Sequence, residues 1–152
     1  MQSFFIILFV ALIMEPITTY THKILMHKTL WVWHKSHHQQ KGTPFELNDL
    51  FPVVFSILSV MLFVAGNQRP IFTSIAIGIT IYGVAYFIVH EIIIHSRFGA
   101  LTSENRLFTY WRFSHNVHHQ FHSAPYGFIV PITPKKLSEK AKEHPRDLLD
   151  RF

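Results

Sequence analysis

The sequence predicts an all-α integral membrane protein, with about three to four transmembrane helices and a helical cap on their cytoplasmic side. Three observations predict it. Apolar residues make up 49% of the 152 residues and charged residues only 15%, a hydrophobic balance for a chain of this length. Three long stretches carry almost no charge. The basic residues gather at the ends of those stretches that parity places on one side.

The first stretch, about 3–21, holds Phe, Ile, Leu and Val with Glu15 as its only charge. It lacks the basic n-region and the small-residue cleavage pattern of a signal peptide. An uncleaved first membrane helix running toward His22 is expected. The second and third spans are placed at about 50–67 and 70–91. At about 1.5 Å per residue each can cross a hydrocarbon layer of about 30 Å. Gly66-Asn67-Gln68-Arg69-Pro70 between them reads as a tight turn.

Three crossings put the segment after the first span and the tail after the third on the same side. Of the 14 Lys and Arg residues, all but Arg69 lie in those two segments. The positive-inside rule then assigns that side to the cytoplasm, with a bacterial inner membrane as the expected location. The chain reads as one membrane-embedded domain, 1–152, ending in a basic cytoplasmic tail, 133–152. Its lysines suit anionic lipid headgroups. Although the net charge is +5, this distribution argues against a nucleic-acid partner.

Thr102 or Ser103 is suited to cap a helix starting at Glu104. Leu107, Trp111, His115 and His118 then share one face. A fourth apolar patch, Tyr126 to Ile132, is too short to cross and is expected to lie at the interface or to cover a site.

The twelve histidines are the compositional anomaly. His22 and His27 are separated by four residues, as are His90 and His95. His34, His37 and His38 repeat in spacing as His115, His118 and His119, with His122 following. Neutral imidazole binds a metal without shedding a proton. The chain has no cysteine, so disulfides, thiolate zinc and iron–sulfur clusters are excluded. On a helix His34, His37 and His38 form one face, as do His115, His118, His119 and His122. The four-residue-spaced pairs do not, because five steps leave their members roughly 140° apart. Either the helix breaks between them, or the two imidazoles serve different ions. Ten histidines exceed what one ion can hold, so two metals a few ångströms apart are expected.

Glu15 and Glu91 are the acids near these motifs at membrane depth. An intramembrane acid is a functional candidate by default. The expected role of both is to hold an imidazole N–H and fix its tautomer, with direct ligation as the alternative. With zinc, such a site would activate water; with iron, it would activate O2 against a C–H bond of a lipid-like substrate. No nucleophile triad, phosphate loop or nucleotide fingerprint is present, so electrons must come from another protein. The rival from a different class is a non-catalytic membrane metal-binding or transport protein.

In order and spacing, His22 with His27, His34 with His37 and His38, His90 with His95, and His115 with His118 and His119 resemble the bacterial β-carotene 3-hydroxylases. These belong to the fatty acid hydroxylase/sterol desaturase superfamily. Met14-Glu15, Met26-His27, Trp33-His34, His90-Glu91, His95-Ser96-Arg97 and Gly127-Phe128 agree as well. Two departures are Ile92, where the family often has Gly, and a short 119–127 stretch with the extra His122, which is expected either as an eleventh ligand or as a hydrogen-bond donor behind the ligands. The resemblance implies O2-dependent hydroxylation of carbon 3 of β-ionone rings, from β-carotene to β-cryptoxanthin and zeaxanthin. It implies two non-haem iron ions held by the ten motif histidines, with zinc as the alternative occupant after purification and O2 as co-substrate. It further implies a carotenoid drawn from the bilayer and electrons from a ferredoxin or similar carrier. Carotenoid ketolation and sterol or fatty acid hydroxylation or desaturation are the alternatives within the superfamily.

Overall fold

A computed structural model of the chain describes residues 1–39, 45–99 and 105–143. Among them are helices α1 (Gln2–Thr21), α2 (Trp31–Gln39), α3 (Leu50–Ala65), α4 (Pro70–Tyr86), α5 (Arg106–Phe121) and α6 (Lys135–Glu143). Two π-helical segments, His22–Thr29 and Phe87–Ile94, continue α1 and α4 without interruption. A 3-10 turn at Leu47–Asp49 leads into α3.

Three helical runs are long and apolar enough to cross a membrane: Gln2–Thr29, Leu47–Ala65 and Pro70–Ile94. They match the three expected spans, and the first and third extend further because the π segments prolong them. α4 lies between α1 and α3 and packs on both. The α1–α4 approach is close because of Gly78, where a Cβ would stand 2.6 Å from the Val10 Cβ and 2.8 Å from the Ile7 carbonyl. α3 is joined to α4 by a polar contact, Ser59 donating to the Ala76 carbonyl at 3.1 Å. Such contacts hold membrane helices together where lipid removes any hydrophobic drive between them.

The outward faces are apolar. Phe5, Phe9 and Leu12 on α1 and Val60, Met61 and Val64 on α3 are all exposed. In water such a surface would be untenable for a monomer; in lipid it is the expected one.

The helix anticipated from Glu104 begins instead at Arg106, capped by the Asn105 side chain, which accepts from the Leu107 N–H at 2.8 Å. Thr102, Ser103 and Glu104 lie outside the described residues. α5 stops at His122, whose left-handed backbone (φ 49°) turns the chain away from the helix axis. From there the non-helical segment 123–134 runs back over the ends of α1 and α4. Of the two places expected for the patch 126–132, Tyr126 and Phe128 take the second, packing on the His22 ring, while Val130 and Ile132 are exposed.

Candidate metal centre

The π segments answer the question posed by the four-residue spacing. In a π-helix the hydrogen bond runs from residue i to i+5, so a residue and the fifth one after it come nearly above one another. The His95 N–H donates to the His90 carbonyl at 3.0 Å, and the Leu30 N–H to the Leu25 carbonyl at 2.7 Å. Neither expected alternative holds. The helix widens rather than breaks within each pair, and both imidazoles of a pair turn to the same place.

Two groups of four result. His22, His27, His34 and His118 form one, His37, His90, His95 and His115 the other, with the four candidate ligand atoms of each group within 4.8 Å of one another. The pairs stay whole, and it is the tight motifs that divide. His34 joins the first group and His37 the second; His118 joins the first and His115 the second. Three residues along an α-helix advance about 4.5 Å, enough to carry neighbouring side chains to two different centres. α2 and α5 therefore run alongside both groups. His27 joins His34 across a break at Leu30 (φ −111°, ψ 33°) that separates the first π segment from α2.

The ring nitrogens are arranged with one direction in common. In the first group, His22 Nδ1 lies 2.8 Å from the Tyr126 carbonyl, His34 Nδ1 2.8 Å from Asn48 Oδ1, and His118 Nδ1 2.6 Å from the Ser123 carbonyl. In the second, His37 Nδ1 lies 3.1 Å from Glu46 and His90 Nδ1 2.7 Å from Glu91. Each partner is an acceptor, so each Nδ1 carries the proton and each Nε2 presents a lone pair. Those Nε2 atoms face one another. His22 and His34 meet at 3.0 Å, His27 and His118 at 3.0 Å, His95 and His115 at 2.9 Å, and His37 and His115 at 3.4 Å.

Protonation does not relieve that crowding. Burial holds the His34 imidazole down to about 3. Burial, and then neighbouring imidazoles, push His37, His95, His115 and His118 well below the ordinary histidine range. Neutral lone pairs converging at this distance fit a divalent cation between them, and an all-nitrogen set suits iron, zinc, copper or nickel.

His38 and His119 stand between the two groups, their rings stacked at 4.3 Å. His38 Nε2 lies 3.1 Å from His34 Nε2, and the His119 ring is 4.4 Å from His115 and 4.7 Å from His37. His38 Nδ1 and both ring nitrogens of His119 are buried without a hydrogen-bond partner. His122 belongs to neither group. It is exposed and rests on Trp31 and His38, at the rim of a hollow that it lines with His27 and Trp31.

Glu91 holds an imidazole N–H as expected, that of His90. Glu15 does not. It accepts from the Tyr82 hydroxyl at 2.7 Å and from the peptide N–H groups of Ile129 and Val130 at 3.1 and 2.9 Å. Glu46 and Asn48 were passed over in the sequence, and Arg97 was noted only as part of the family pattern, without a role. Arg97 meets Glu91 at 3.1 Å, Glu46 at 3.3 Å and Asp49 at 2.8 Å. One guanidinium thus ties together both carboxylates that back the second group. The available signal was the cluster Glu46-Leu47-Asn48-Asp49 directly before an apolar span. The carbonyls of Ser123 and Tyr126 carry no sequence signal at all.

Comparison with known proteins places the chain. The model of the fatty acid hydroxylase family matches residues 7–135. The chain belongs to the fatty acid hydroxylase family. Among the relatives of this family member, a β-carotene hydroxylase of Paracoccus sp. (strain PC1) is 36% identical over 149 residues, covering 93% of this chain and 92% of the relative. A β-carotene hydroxylase of Pantoea ananas is 36% identical over 146 residues, 91% of this chain and 83% of that one. A chloroplastic β-carotene 3-hydroxylase of Gentiana lutea is 34% identical over 135 residues, 83% of this chain and 41% of the longer plant protein. No solved structure matches the chain.

Proposed function

We propose that this protein is a membrane di-iron oxygenase that hydroxylates carbon 3 of the β-ionone rings of β-carotene, giving β-cryptoxanthin and then zeaxanthin. The observation that carries the reading is the pair of four-nitrogen nests, built from neutral imidazoles at one end of three apolar helices. In this reading His22, His27, His34 and His118, with His38, hold one ion. His37, His90, His95 and His115, with His119, hold the other. Iron bound there supplies O2 activation, so that one oxygen atom enters a C–H bond and the other leaves as water. The protein's own residues do the rest. The Nδ1 partners keep the Nε2 atoms of His22, His34, His37, His90 and His118 aimed inward, and the 123–134 segment shields the first group from water. The apolar spans give an isoprenoid ring access from the bilayer.

The curated names of the relatives supply the substrate. The position of the basic residues supports a topology with the nests on the cytoplasmic side, and the bacterial relatives support an inner membrane as the location. The two electrons come from a ferredoxin-like carrier. Lys23, Lys28 and Lys35 are exposed, and no acidic residue occurs between Glu15 and Glu46. That surface favours encounter with an acidic partner. If turnover with a purified acidic ferredoxin did not depend on ionic strength, this docking would be wrong.

The deciding experiment is expression in a cell that accumulates β-carotene, followed by chromatography. More polar products with an unchanged chromophore support the reading. A red-shifted product means ketolation, and untouched carotene rejects both. Two tightly held metals with no O2 uptake or lipid oxidation would favour a binding protein instead.

A further inference from the structure

After α5 the chain forms a strap over the first histidine group. The Ser123 and Tyr126 carbonyls accept from His118 and His22, and the Phe128 ring stacks on His22 at 4.7 Å and 11°. Just beyond, the Ile129 carbonyl accepts from the Trp111 indole at 2.8 Å, and the N–H groups of Ile129 and Val130 donate to Glu15. Glu15 lies on α1, seven residues before His22. The strap crosses it so closely that a Cβ on Gly127 would stand 2.9 Å from Glu15 Oε1 and 2.7 Å from the Val130 carbonyl. Both strap hydrogen bonds to imidazoles go to the first group. The second group has its own supports in Glu46 and Glu91. The strap meets it through Phe128, edge-on to His90 at 5.3 Å.

Two peptide N–H groups and a phenol converge on Glu15. A carboxylate is acceptor-only and receives all three with charge assistance, whereas an amide must reverse the Tyr82 bond by donating to the phenol oxygen and accepts the two peptide N–H groups without charge. The residue type therefore matches the task of gripping the strap.

We propose that Glu15 is a positioning residue: by pinning the 126–130 strap it sets the aim of His22 and completes the first group alone, so that one ion of the pair depends on Glu15 and the other does not. This rests on the two-ion reading above. Losing an outer hydrogen-bond partner of a metal-binding imidazole costs about 10- to 100-fold in metal affinity, and the strap supplies two such partners.

The test is metal content per chain, measured on the purified full-length protein across a series of chelator concentrations, with iron spectroscopy on the same samples. Wild type is expected to retain two coupled ions. E15Q is expected to lose one of them at chelator concentrations about 10- to 100-fold lower, leaving a single uncoupled ion. G127A, which lifts the strap without changing a span, is expected to do the same and decides the matter if E15Q fails to fold. E46A is expected to lose the other ion, and the E15Q/E46A double variant both. Retention of both ions by E15Q and G127A at wild-type chelator resistance would overturn the proposal, as would simultaneous loss of both ions. A wild type holding fewer than two ions would instead reject the two-ion reading.

Discussion

The two histidine groups are built from the same side chain and differ in what stands behind it. The first is backed by neutral acceptors: the Tyr126 and Ser123 carbonyls and the Asn48 side chain. The second is backed by Glu46 and Glu91, with Arg97 between them. A carboxylate behind an imidazole raises its basicity as a ligand, while a carbonyl mainly fixes its orientation. The two sites are therefore chemically unequal although their ligand atoms are alike. The first is also held by the strap, whereas the second is held by charge.

The comparison is most strongly tested by removing one ligand from each side. His118→Ala and His90→Ala should each reduce activity to background and take away one ion, not two, as read by product analysis and metal content. Arg97→Ala comes next. It leaves Glu46 and Glu91 poorly compensated, and breaking a buried ion pair typically costs about 3–5 kcal/mol. Arg97 keeps 15% side-chain exposure, so the lower end of that range is expected, seen as a lowered melting temperature with loss of the second ion first. Asn48→Ala should weaken only the first ion, by about 10- to 100-fold, in a chelator titration.

Acid is a gentler probe. His34 keeps its imidazole neutral down to about 3 in the fold, whereas the unfolded chain takes up the proton near 6.5. Below that value the unfolded state binds more protons, so metal-free protein should lose stability as pH falls from about 6.5 toward 3. A melting temperature that did not fall across this window would mean the imidazoles are not buried as described. The smallest effect is expected from Ser59→Ala, which loses the interhelical hydrogen bonds to the Ala76 carbonyl and the Thr80 hydroxyl, each worth about 0.6 kcal/mol. It should leave both ions in place.

Much of the architecture was legible because membrane helices announce themselves by length and lack of charge. The three spans and the convergence of the histidine motifs followed from such patterns, while for 126–132 covering the site was one of two places left open. The grouping of the histidines did not. Angular counting assumes α-helical winding, and on that assumption the four-residue pairs had either to break the helix or to serve different ions, while His34, His37 and His38 shared one face. π winding overturns the first conclusion, and the rise of three residues along an α-helix overturns the second. The expectation that Glu91 holds an imidazole agrees with its contact to His90, while Glu15, alike in depth and charge, grips peptide N–H groups of a segment more than a hundred residues away.

By itself, then, the sequence determined which residues are available: the imidazoles, the apolar lengths that set their depth, and the charges that orient them. Only the tertiary structure decided which four meet. That choice depends on how wide each helical turn is wound and on distant carbonyls and carboxylates turning each ring. Those are relations between segments, and spacing along one segment does not contain them.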